Sequence, residues 1–161
     1  MPPILRTTLE NAELIKYAAN AFLAMKVSFI NMIAGSCERI PHADVEVVAK
    51  GIGLDKRIGA HFLKAGLGFG GSCFPKDLKA LLAFAKRLNV RLPLVEATLQ
   101  INEDQPLRAV QMAEELLGDL KGKRIAILGL AFKPNTNDMR NAVSIKLINE
   151  LLKKGRHGDG L

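Results

Sequence analysis

Cys73 stands on an unusually bare stretch of chain. The segment GLGFGGSCFPKD, residues 66–77, carries four glycines in its first six positions, then the thiol, then Pro75, Lys76 and Asp77. A cysteine ordinarily hides among apolar side chains, yet this one nearly adjoins Pro75, a residue suited to the first turn of a helix. A helix N-terminus and a neighbouring lysine both favour the nucleophilic thiolate. Glycines let the backbone approach a ligand and turn its N–H groups toward anionic oxygens. Asp77, four residues on, has the chemistry to act as a base or to orient a water. The loop thus gathers a nucleophile, anion donors and a carboxylate, the set that covalent catalysis needs. The plainer reading is a glycine-rich connector in which a cysteine happens to lie. Cys37, at the end of a long apolar stretch, reads as an ordinary core residue.

Lys16 and Asn20 are spaced i, i+4 and share a helix face, where two donors can stabilise an alkoxide or oxyanion. The alternative is that Lys16 reaches out to water and Asn20 bonds locally. Gly66, Gly68 and Gly71 satisfy the dinucleotide pattern G-x-G-x-x-G, which carries meaning only after a strand. The preceding RIGAHFLKA reads as helical, which argues against that fingerprint. No Gly-Lys-Ser/Thr follows, so a phosphate P-loop is excluded. Neither cysteine belongs to a CxxC motif or a Cys/His cluster, so no metal site is expected.

The elements that position these residues follow from caps and periodicity. Thr8 or Asn11 can cap a long helix running to about Glu38, apolar on most of its circumference and therefore covered on more than one side. PHADVEVVAKGIGLD predicts a shorter helix entered near Asp44 and ended by Gly51 and Gly53. Pro75 opens a helix that Asn89 can close. LPLVEATLQINEDQPLRAVQMAEELLG predicts another, interrupted or kinked at Pro106. KRIAILGL is a short β-branched run typical of a buried parallel strand. A loop, AFKPNTNDMRN, and a helix, AVSIKLINELLKKG, follow it. The tail RHGDGL shows no pattern. The expected fold class is mainly α: a helical domain over residues 1–118, then the first strand-loop-helix unit of a Rossmann-like α/β domain over 119–161.

The net charge of +7 suits an anionic partner. Nucleic acid is the weaker choice, because the longest basic cluster is only Lys121, Lys123 and Arg124. Seven Phe, one Tyr and no Trp leave few bases stackable. The N-terminus lacks a basic region followed by an apolar run, so no signal peptide is expected. The apolar stretch 17–34 is interrupted by Asn20, Lys26, Ser28 and Asn31, whereas a membrane span needs roughly 20 nearly uninterrupted apolar residues. Two cysteines without a disulfide framework point to a reducing, cytoplasmic setting.

Three segments together, NAELIKYAANAFLAMKVSFINMIA, IGLDKRIGAHFLKAGLGFGGSCFPKDLKAL and ILGLAFKPNTNDMR, closely resemble the nucleotide-sugar 6-dehydrogenases of the UDP-glucose/GDP-mannose dehydrogenase family. The resemblance covers about residues 8–153. GDP-mannose enzymes usually place Leu after the cysteine, where this chain has Phe74. The UDP-N-acetylmannosamine enzymes usually carry Gly-His-Cys, which Ser72 does not match. The resemblance implies a central domain that dimerises through its long helix, a partial UDP-binding domain, and an NAD-binding domain absent from this chain. An isolated chain is accordingly expected to be inactive unless a separate NAD-binding chain supplies that domain. The implied reaction is the NAD-dependent two-step oxidation of UDP-glucose to UDP-glucuronate through a cysteine thiohemiacetal and thioester. GDP-mannose oxidation and a non-catalytic dimerisation fragment are the alternatives. By resemblance the catalytic residues are Cys73, Lys16, Asn20 and Asp77. Lys64, Phe69, Gly70, Arg57 and Lys133 are assigned to the UDP-sugar, Arg57 reaching the partner subunit's substrate. Lys76 and Arg140 are placed near the cofactor.

Overall fold

The computed structural model describes residues 3–156. Five helices account for its regular structure: α1 (Leu9–Cys37), α2 (Val45–Gly53), α3 (Phe74–Arg87), α4 (Pro93–Leu117) and α5 (Val143–Arg156). α1 is the axis, with α2, α3 and α4 packed on it, while α4 also carries α3 and α5.

The helix starts form where the capping residues stand. Thr8 caps α1, its hydroxyl accepting from Asn11 N–H at 3.3 Å, so Asn11 lies inside the helix rather than at the cap. Asp44 caps α2, accepting from Glu46 N–H at 2.7 Å. Gly53 is the last residue of α2, but Gly51 lies within it. Pro75 sits in the first turn of α3, and Asn89, with φ 56°, takes the left-handed turn just past its end. α4 runs through Pro106 without a break.

α1 is long and apolar enough to cross a membrane by length and composition alone. Its buried polar side chains instead reach other parts of the chain, as in a core helix. Lys26 donates to Ile58 and Gly59 carbonyls at 2.8 and 3.1 Å, and Ser28 donates to the Thr98 carbonyl at 2.8 Å. Two apolar clusters form the core. Ala24, Phe69 and Leu78 pack beneath the glycine loop, and Val110, Leu120 and Leu147 join α4 to α5.

Two expectations are corrected. Residues 57–65 form turns, not a helix. Gly59 and Phe62 both have positive φ, 70° and 63°, which interrupts any right-handed run. Residues 123–130 belong to no strand, and the described residues contain none. A strand exists only as one side of a ladder, and no second extended segment pairs with this one. Ile125 and Leu128 are 38% and 93% exposed, far from the predicted burial, although Ile127 packs on the second cluster. Part of the glycine-rich tail, residues 157–161, lies outside the described residues.

Candidate active site

The thiol is presented by a helix start. Cys73 is the residue at which α3 begins, its carbonyl accepting from Asp77 N–H at 2.9 Å. Its side chain is exposed and makes no capping bond, with Ser72 Oγ 3.8 Å from the sulfur. Asp77, one turn on, is turned into the α1–α3 seam, and its side chain has no exposed surface. Asp77 Oδ2 accepts from Lys16 Nζ and, at 2.6 Å, from Asn20 Nδ2. Lys76 Nζ lies 3.3 Å from Oδ1 without the alignment of a hydrogen bond.

Burial pushes the Asp77 carboxyl up, but the hydrogen bonds from Lys16 and Asn20 and the adjacent Lys76 ammonium outweigh it and hold the group below the usual carboxylate range. Lys16 is raised, first by its bond to Asp77 and then, against some desolvation, by the nearby charges of Asp77, Tyr17 and Cys73. Lys16 therefore stays a cation close to the thiol. Arg140 is raised chiefly by Asp138, which it grips through Nε at 3.0 Å and Nη2 at 2.6 Å, with a smaller contribution from Cys73. Cys73 thus lies within electrostatic reach of cations from α1 and from the loop before α5.

The loop leading to Cys73 is held on three sides. Gly66 N–H donates to Asn31 Oδ1 and Gln105 Nε2 donates to the Gly66 carbonyl, both at 2.8 Å. Asn102 accepts from Phe69 N–H at 2.6 Å and donates to the Phe69 carbonyl at 3.0 Å. Asn141 donates to the Gly71 carbonyl at 3.2 Å. A Cβ on Gly71 would lie 2.7 Å from the Phe132 ring, and φ there is 79°, so only glycine fits.

Among the assigned residues, Lys16, Asn20 and Lys76 come together on Asp77, Cys73 opens the same helix, and Arg140 is bound to Asp138 in the loop before α5. Phe69 is buried beside Cys73, in an edge-on contact with Phe74 at 5.7 Å, and Gly70 packs on the backbone of Asn141. Lys133 is exposed, its Nζ 5.2 Å from the Phe132 ring that lines Gly71. Arg57 stands apart, 89% exposed and bound to Asp55. Lys64 is exposed as well, and among the described residues no hydrogen bond ties it to the cluster. The amides Asn31, Asn102, Gln105 and Asn141 went unassigned in the sequence. The one available signal was the i, i+3 spacing of Asn102 and Gln105, which puts both on one face of α4.

The glycine loop does not fit a dinucleotide. No strand precedes it, and the Gly66 and Phe69 amides that would face a pyrophosphate are already bonded to side chains. Among the described residues no group of three or more His, Cys, Asp or Glu could hold a metal.

Cys73 is thus an exposed thiol at the start of the helix whose Asp77 holds Lys16 in an ion pair and Asn20 in a hydrogen bond. Residues 10–104 match the model of the UDP-glucose/GDP-mannose dehydrogenase family, central domain, and residues 126–159 match that family's UDP binding domain. The chain therefore belongs to the UDP-glucose/GDP-mannose dehydrogenase family. It is 56% identical over 155 residues to UDP-glucose 6-dehydrogenase TuaD of Bacillus subtilis, covering 96% of this chain and 33% of that protein. The structure superposes on a UDP-glucose dehydrogenase from Pyrobaculum islandicum with a TM-score of 0.87 and 48% identity, covering 90% of this chain and 33% of the other. A UDP-D-ManNAc dehydrogenase from Pyrococcus horikoshii gives a TM-score of 0.80 at 28% identity, over 89% of this chain and 34% of that one. The chain spans about a third of the length of the relatives it matches.

Proposed function

We propose that this chain is the substrate-binding and catalytic part of a UDP-glucose 6-dehydrogenase, with residues 1–118 as the central domain and 119–161 as the start of a UDP-binding Rossmann-like domain. The observation that carries the reading is Asp77, one turn into the helix that Cys73 opens, holding both Lys16 and Asn20. The matches to the central and UDP-binding family models on either side of residue 118 support the division.

In this reading Cys73 Sγ forms a bond to the C6 aldehyde carbon of the sugar, and the carbonyl oxygen takes up the electron pair. The Lys16 ammonium and the Asn20 amide stabilise that oxygen as the thiohemiacetal forms. NAD would supply acceptance of hydride, and the described residues do not form its cradle. Once the carbon is at the thioester level, water attacks it, the carboxylate leaves and the thiol is restored. Asp77 is sealed from solvent, so its part is to fix Lys16 as a cation and Asn20 in orientation, rather than to touch the water. Lys76 and Arg140 stand near the cofactor. Phe69, Gly70, Lys64 and Lys133 receive the UDP-sugar, and Arg57, free of the cluster, is placed to reach the substrate of a second subunit. Two free thiols agree with a cytoplasmic setting.

A homodimer through α1 belongs to the same reading. Ile15, Phe22 and Phe29, spaced seven apart, are 51%, 59% and 43% exposed, an apolar stripe left uncovered on the helix that α2, α3 and α4 pack against.

Alkylation of the purified chain at pH 7 by a stoichiometric thiol reagent, read by mass spectrometry, tests the assignment. Cys73 is expected to react before the buried Cys37, and UDP-glucose, but not GDP-mannose, to slow it. Equal labelling of both cysteines, or no slowing by UDP-glucose, would overturn the reading.

A further inference from the structure

The cysteine loop divides into a first half, Gly66–Phe69, held by side chains of α1 and α4, and a second half, held by Asn141 and Phe132, that leads into α3. Asn102 dominates the first half. Its carboxamide accepts from the Phe69 N–H and donates to the Phe69 carbonyl, so one side chain fixes the peptide planes on both sides of Phe69. Asn102 is 9% exposed, and both bonds are buried. Gly68 is shaped to the same contact: its φ is 108°, and a Cβ there would stand 2.6 Å from Asn102 Oδ1. Pro106, fully buried four residues on, lacks the N–H that would bond the Asn102 carbonyl, which loosens α4 at this turn. Gln105, one residue earlier, reaches Gly66.

Glycine-rich backbone loses more conformational entropy on ordering than any other. A loop with four glycines in six residues, if left free, would charge that cost to every ligand it ordered. We propose that Asn102 is a positioning residue that holds the Phe69–Gly70 backbone in its ligand-binding shape before any ligand arrives, so that the ordering cost falls on folding rather than on binding. The proposal rests on the assignment of Phe69 and Gly70 to the nucleotide sugar. Asn102 touches no substrate and acts through the Phe69 peptide alone. The edge-on contact between Phe69 and Phe74 carries that position to the residue following the thiol.

Hydrogen exchange followed by mass spectrometry on the whole chain reads the clamp directly. Without ligand, peptides spanning 66–73 are expected to exchange slowly. Asn102→Ala should speed them by about tenfold or more while peptides of α1 and α3 keep their rates. Asn102→Asp keeps the size and an oxygen for the Phe69 N–H but sets an acceptor against the Phe69 carbonyl, so the loop should still exchange faster than in the unaltered chain, a loss that a general packing defect would not show in so close an isostere. The UDP-glucose concentration that half-protects Cys73 from alkylation should rise about tenfold in Asn102→Ala, as expected when the competent loop becomes a minor state. Fast exchange of 66–73 in the unaltered chain, equal acceleration across all helices, or unchanged half-protection in Asn102→Ala would overturn the proposal. Absence of any UDP-glucose protection in the unaltered chain would remove the functional reading and the clamp's tie to a sugar nucleotide, while the exchange pattern would still decide whether Asn102 holds the loop.

Discussion

Asp77 keeps a charge with no exposed surface to hydrate it because Lys16, Asn20 and Lys76 all face it. Burying a carboxylate is tolerable only under such compensation. Asp138 offers the same physics at a more open position. Hydrogen bonds from the Arg140 side chain, then from the Arg140 backbone N–H, hold its carboxyl at about 2. A native value below the unfolded one means that the unfolded chain binds more protons as the pH falls. The stabilisation is therefore complete above about pH 4 and is lost as the pH drops toward 2. Melting curves between pH 5 and 2 should show a smaller pH-dependent loss for Asp138→Asn than for the unaltered chain, and parallel curves would refute the assignment. At this scale the sequence reveals the candidates but not their directions. The shared face of Lys16 and Asn20 is visible in their i, i+4 spacing, whereas nothing in FPKD says that Asp77 turns away from water. The clamping amides are equally silent, since an asparagine facing a loop and one facing solvent have the same spelling.

Among the elements, the helices were legible because each start carries its own chemistry: Thr8, Asp44 and Pro75 mark α1, α2 and α3. Residues 57–65 were misread because RIGAHFLKA has helical spacing, while its left-handed turn at Phe62 leaves no mark on composition. The run 123–130 has the residues of a strand, but a ladder requires a neighbour, and that lies beyond local sequence. Contact between α1 and α4 depends on polar as well as apolar pairs. The bond from Ser28 to the Thr98 carbonyl is buried, and Ser28→Ala removes it while the carbonyl keeps its place in the α4 ladder. A loss of about 0.5–1.5 kcal/mol is expected. Urea denaturation with an unchanged slope checks it, and a midpoint equal to that of the unaltered chain would show that the bond contributes nothing.

For the whole molecule, the exposed stripe on α1 predicts association at micromolar concentration. Light scattering should give twice the 17.5 kDa chain mass, and Phe22→Glu with Phe29→Glu should return the single mass. A monomer in both would mean that the stripe stays in water. The stretch 123–130 has a different consequence. It is an apolar run headed by Lys123 and Arg124, and among the described residues no strand pairs with it. Such runs adhere edge to edge unless a gatekeeper keeps like copies apart. Here the two cations do so by mutual repulsion, which reaches about 10 Å at 0.1 M salt and only about 3 Å at 1 M. Salt should therefore act on this protein as a glue: in 1 M sodium chloride the scattering mass should climb past the dimer with concentration, and a charge placed at Leu128, already 93% exposed, should stop the climb.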